Sequence, residues 1–167
     1  MYRNILVAYD GSRSGDEALR QAGDLGRLCQ SSIHLVAIVN PAEATLAVEG
    51  MTFIPDIERT RIEQLLEDGL AELRRRRLVA TAEIKIGSPA VEIDLLARGM
   101  GADLIVLGHR SRSALARWLS GSVGASVLNH APCSVLIAIE TPDTRSHHSN
   151  NLVRLRRERP HLHAVRD

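Results

Sequence analysis

Ile5-Leu6-Val7-Ala8-Tyr9-Asp10-Gly11-Ser12 is a short, unbroken apolar run stopped by an Asp-Gly pair. An apolar run of this length, without alternation, suits a β-strand buried on both faces. Outward from it, Ala18, Ala22, Leu25 and Cys29 recur at helical spacing over residues 16–29. Residues 33–39 are a second buried strand, ended by Asn40-Pro41. Residues 41–54 have no clear period and read as a loop. Residues 55–77 read as a long helix striped by Ile57, Ile62, Leu65, Leu66, Leu70 and Leu73.

Beyond it, residues 79–86 alternate roughly and read as a third strand. Gly87-Ser88-Pro89 then starts a helix, with Ser88 as N-cap and Pro89 at the first helical position. Residues 104–107 are a fourth strand, 120–130 a helix and 135–139 a fifth strand. Strands separated by helices run parallel, because each crossover returns the chain to the same end of the sheet. The expected fold is α/β: a doubly wound, five-stranded parallel sheet with helices on both faces. In such sheets ligands sit beyond the carboxyl ends of the strands, where the strand order reverses.

Composition narrows the function. The 167 residues suffice for one domain with a sizeable core. Lys and Arg number 21 against 20 Asp and Glu, a formal charge of +1 that attracts no polyanion as a whole. The aromatics are only Tyr2, Tyr9, Phe53 and Trp118, too few for a base-stacking surface, so a nucleic-acid partner is not expected. The run Arg74–Arg77 ends the long helix, where cations complement the helix dipole, and reads as solvated rather than as a nucleic-acid patch. No apolar stretch approaches the ~20 residues that span a bilayer, and the amino-terminal run does not read as a signal peptide. The expectation is a cytoplasmic protein with no membrane partner. Cys29 and Cys133 read as reduced, buried core thiols.

Residues 141–167 differ in kind. They hold six Arg, four of the seven His and three acids, with no long apolar period. They read as a basic, His-containing mobile tail appended to a domain of residues 1–140. Its histidines, His147, His148, His161 and His163, read as incidental rather than as a metal site.

Three strand ends bear on chemistry. Asp10 follows the first strand, where a carboxylate accepts from a sugar hydroxyl or a base amine, or else closes an Asx turn. Ile38, near the end of the second strand, either lines an adenine slot or is core. The third is the stretch Leu107-Gly108-His109-Arg110-Ser111 continuing to Gly121-Ser122-Val123. Gly108 follows a buried strand, Gly121-Ser122 opens a helix, and Arg110, Arg112 and Arg117 lie between. Glycine admits a close ligand and helix amides bind phosphate, so this reads as a phosphate cradle. It is not a Walker loop, because no Gly-Lys-Ser/Thr follows.

At this point the chain resembles the nucleotide-binding universal stress proteins. Their pattern Gly-x2-Gly-x9-Gly-Ser/Thr stands here as Gly108-x2-Ser111-x9-Gly121-Ser122. The resemblance extends to the opening stretch, to Gly87-Ser88-Pro89, to residues 102–108 and to residues 130–136, and covers residues 1–140. It implies a Rossmann-like domain that binds ATP or AMP, with or without magnesium. Asp10 and Ile38 would contact the adenosine. Gly108, Arg110 and Ser111 would line the ribose and phosphates, with Leu107 beside them, and Gly121, Ser122 and Val123 would hold the phosphate tail. It also implies a stress-response role and a homodimer paired through residues 135–139, an apolar edge that needs cover.

Ser111 stands where the family has a second glycine. A serine held there at positive φ costs about 1 kcal/mol and its side chain crowds the nucleotide, while its hydroxyl offers a donor. Two other readings stand beside nucleotide binding: a dimeric interaction module that has lost its nucleotide, and a slow ATPase. For the ATPase no carboxylate pair or metal-ligand spacing is present in the cradle, and His109 is the one base at hand. The expectation is therefore a binding protein without a catalytic residue.

Overall fold

Five strands run in parallel register at the centre of the molecule: β1 (Asn4–Ala8), β2 (Ser32–Val39), β5 (Val79–Ile86), β6 (Leu104–His109) and β7 (Ser134–Ile139), in the order β5-β2-β1-β6-β7. A computed structural model describes residues 1–40, 46–48, 51–53, 56–109, 127 and 129–139, with only the backbone of 46–48 and 51–53. The chain builds outward from β1 through β2 to β5, then returns to the other side of β1 for β6 and β7. The order therefore reverses at β1, and the sheet is doubly wound as expected.

The alternating inward residues of β1 and β2 explain the two-layer core. Ile5 and Val7 of β1, with Ile33 and Leu35 of β2, face α1 (Arg13–Cys29) and α2 (Asp56–Arg75), against Ala18, Leu19, Ala22, Leu66 and Leu73. Leu6, Val36, Ile105 and Leu107 face the opposite way, against Ala90, Ile93 and Ala97 of α3 (Pro89–Gly99) and against Val127. Ile5, Leu6 and Val7 are all fully buried, which is why the opening run does not alternate.

Several boundaries differ from the sequence reading for local reasons. α1 begins at Arg13, not Asp16, because Ser12 caps it: its hydroxyl accepts from Gly15 N at 3.1 Å. α2 stops at Arg75, and Arg77 leaves the helix with a left-handed φ of 62°. Ser88 is the N-cap of α3 with Pro89 behind it, but its side chain makes no capping bond. The stretch expected to be a loop contains an antiparallel pair, β3 (Leu46–Val48) with β4 (Met51–Phe53), in register Leu46↔Phe53. Three-residue strands are too short to show a period of two. Cys29 and Cys133 are free thiols but only partly buried. Of the helix expected over 120–130, only 127, 129 and 130 are described, and they are helical. Residues 141–167 lie outside the described residues, and no described helix is long and apolar enough to cross a membrane.

One close approach holds the first helix to the sheet end. A Cβ built on Gly108, in β6, would sit 2.2 Å from the carbonyl oxygen of Ser14 and 2.7 Å from Gly15 N. The backbone of α1 thus touches the strand where a side chain would stand. Gly108→Ala must push the helix off the sheet. Overpacking of this kind costs about 1–3 kcal/mol, so the expected result is a lower midpoint in denaturant unfolding, and an unchanged midpoint would contradict the contact.

Candidate functional site at the sheet reversal

The reversal at β1 opens a cavity of about 340 Å³ beyond the carboxyl ends of β1, β2 and β6. A parallel sheet must leave such a gap, because the connections from β1 and from β5 depart to opposite faces there. The walls are apolar: Val36 and Ile38 from β2, Leu107 from β6, and Pro89 and Ile93 from α3. Asp10, Gly15 and Gly108 supply polar backbone, and Asp10 is the one carboxylate among its described lining residues.

Asp10 is held in place by the cap of α1. Its Oδ1 accepts from Ser12 N at 2.9 Å and from Ser12 Oγ at 2.6 Å. Ser12 Oγ in turn lies 3.0 Å from Ser14 Oγ. The Asx turn is therefore real, and it orients the exposed carboxylate rather than consuming it, since both bonds fall on one oxygen. Gly15 is part of the same packing: a Cβ there would meet Asp10 Oδ1 at 2.5 Å. The glycine at 108 has a reason that sequence did not reveal. It accommodates Ser14 and Gly15 of α1, so helix packing already requires it.

Below Asp10, Tyr9 is buried and continues the β1 pairing with a bond from its N–H to Val36 O at 2.9 Å. Its hydroxyl donates to Asp16 Oδ1 at 2.8 Å. Burial pushes the Tyr9 hydroxyl well above its ordinary range, and the bond to Asp16 with the negative charges of Asp16, Asp68 and Asp10 adds to the rise.

Of the residues singled out by sequence, Asp10, Ile38, Leu107 and Gly108 come together on this one cavity. Arg110, Ser111, Gly121, Ser122 and Val123 lie outside the described residues. Sequence reasoning missed Val36, Gly15, Pro89 and Ile93 as wall residues. Gly87-Ser88-Pro89 was visible as a helix start, but nothing local says that this start faces the end of β6. Among the described residues no group of three or more His, Cys, Asp or Glu is placed to hold a metal ion.

The family model described as the universal stress protein family matches residues 1–138. The chain belongs to that family. A curated relative carrying the same family name, from Staphylococcus haemolyticus, is 32% identical over 139 residues, spanning 81% of this chain and 84% of its own length. Among solved structures, a universal stress protein from Burkholderia pseudomallei superposes with a TM-score of 0.61 at 28% identity, over 81% of this chain and 95% of its own. One from Arabidopsis thaliana, solved with AMP bound, has the same fold at a TM-score of 0.61 and 20% identity, over 85% of this chain and 94% of its own.

The Tyr9 environment has a consequence for stability. The folded hydroxyl keeps its proton while the unfolded chain ionises near the ordinary tyrosine value of about 10. The contribution is thus complete below about pH 10 and declines as pH rises above it, because the unfolded state then loses a proton that the folded state retains. Denaturant unfolding followed upward from about pH 10 should show this alkaline loss in the wild type and a shallower one in Tyr9→Phe. Parallel profiles would contradict it.

Proposed function

We propose that this universal stress protein is a cytoplasmic, adenine-nucleotide-binding regulator of the stress response, taking ATP or AMP, with or without magnesium. The observation that carries the reading is the cavity at the reversal of strand order, with apolar walls and one oriented carboxylate at its rim. Its 340 Å³ lies within the roughly 300–1,000 Å³ of small-molecule sites. Ile38 and Leu107 on one side and Pro89 and Ile93 on the other suit a flat purine. Asp10 is suited to accept from a ribose hydroxyl or a base amine through its Oδ2. In this reading Gly108, Arg110 and Ser111 face the ribose and phosphates, and Gly121, Ser122 and Val123 hold the phosphate tail. The AMP-bound Arabidopsis protein of the same fold supports the choice of adenine nucleotide.

The same reading makes the protein a homodimer paired along β7. That strand ends the sheet, and Val135, Leu136 and Ile137 are only partly buried within one chain. Among the described residues no strand lies beyond β7, and an apolar edge of this kind invites a second strand. Sedimentation velocity at micromolar concentration should give a dimer for the wild type and a monomer for Ile139→Lys. A wild-type monomer would rule this interface out.

Nucleotide binding is tested by calorimetric titration with ATP and AMP, each with and without magnesium. Asp10→Asn keeps an oxygen for the bonds from Ser12 but removes the charge. Losing a charged hydrogen bond should weaken binding about tenfold. Gly121→Val should abolish it. If the wild type binds neither nucleotide at millimolar concentration, the proposal fails and a nucleotide-free interaction module takes its place.

A further inference from the structure

A larger cavity, of about 640 Å³, lies at the opposite end of the sheet, where β5 begins and the chain enters β2. It forms where the carboxyl ends of α1 and α2 come side by side. Arg27, Arg75, Arg76 and Arg77 line it, and among the described residues no carboxylate does. Two of the four arginines are already engaged. Arg76 donates to Glu72 at 2.8 Å and to Asp24 at 3.1 Å, and Arg75 pairs with Glu72. Among the described residues Arg27 and Arg77 have no ion pair. The dipoles of two helix carboxyl ends explain the presence of cations here. They do not explain why four guanidinium groups share one concavity while the acids that pair two of them, Glu72 and Asp24, stay outside its described lining.

The backbone supplies a second, independent observation. Among the described residues only two that are not glycine adopt a left-handed φ: Gln30, at 57°, and Arg77, at 62°. Both line this cavity. Each follows a helix end at the position where glycine is the unstrained choice. Gln30 closes α1 with a bond from its N–H to Gly26 O, and after Arg77 the N–H of Leu78 reaches Leu73 O at 3.1 Å. Both positions thus carry a long polar side chain at the cavity in a backbone conformation that glycine adopts without strain.

We propose that this cavity is a second anion site, for an oligophosphate chain. Guanidinium groups bind phosphate oxygens through paired N–H donors. Arg76, steadied by Glu72 and Asp24, provides a fixed wall. Arg27 and Arg77 close on the anion from α1 and from the turn after α2, and the Gln30 amide adds a neutral donor. An oligophosphate suits several separated guanidinium groups better than a single phosphate does, because its charge is spread along a chain. The site stands at the other end of the sheet from the nucleotide cavity and does not depend on it.

The test is calorimetric titration of the full chain with inorganic triphosphate in the absence of magnesium. Arg77→Gly removes one cation and at the same time relieves the left-handed backbone, so it separates ligand contact from folding. The expected result is saturable binding in the wild type that weakens at least about tenfold in Arg77→Gly and in Arg27→Gln. The melting temperature of Arg77→Gly should be unchanged or higher. Saturating AMP should leave the triphosphate affinity as it was. No saturable binding in the wild type, equal affinity in both variants, or displacement of triphosphate by AMP would each overturn the proposal.

Discussion

The contact between Gly108 and the first turn of α1 is the constraint around which the site is organised. With Ser14 O only 2.2 Å from where a Cβ would stand, the helix sits against the end of β6. Its amino terminus is thereby brought to the gap between β1 and β6. Ser12 caps that helix and ties Asp10 into the same turn. The carboxylate, the helix start and the strand end are thus one mechanical unit. A change at any of the three shifts the others, because densely packed backbone has no slack to absorb it.

The two ends of the sheet are chemically opposed. At the carboxyl end, strand termini and the start of α3 leave an apolar slot with one acid at its rim. At the amino end, the last turns of α1 and α2 present carbonyls, and arginines gather over them. Parallel winding produces this polarity, since every helix runs back antiparallel to the strands and all helix carboxyl ends collect on one side. The exposed ion pairs of α1 and α2, such as Arg20 with Glu17 and Asp24, contribute little by themselves, being largely solvated. Their effect is to hold side chains such as Arg76 in a fixed direction.

Much of the fold was legible because burial leaves a local imprint. Ile5-Leu6-Val7 is apolar without alternation because it is covered on both faces, and α1 and α2 carry one stripe because they are covered on one. The apolar period of α1 begins three residues after its start, because Ser12 caps it through a single side-chain bond, which has no period. The β3–β4 pair leaves no sign in the sequence, because three residues per strand make no pattern. At the site, Asp10, Ile38, Leu107 and Gly108 are legible from their place at or just after strand ends. Pro89 and Ile93 are not, because they reach the same cavity from a helix on the far side of a crossover.

By itself, then, the sequence determined the succession of strands and helices, the parallel sense of the sheet, the family and the acid that follows the first strand. These depend on neighbours along the chain or on motifs in order. Only the tertiary structure decided that Gly108 answers to Ser14, that α3 walls the cavity, and that Arg27 and Arg77 share a concavity. Each of those facts joins residues far apart in the chain. Which of them meet is set by strand order and helix packing, and no local periodicity records that.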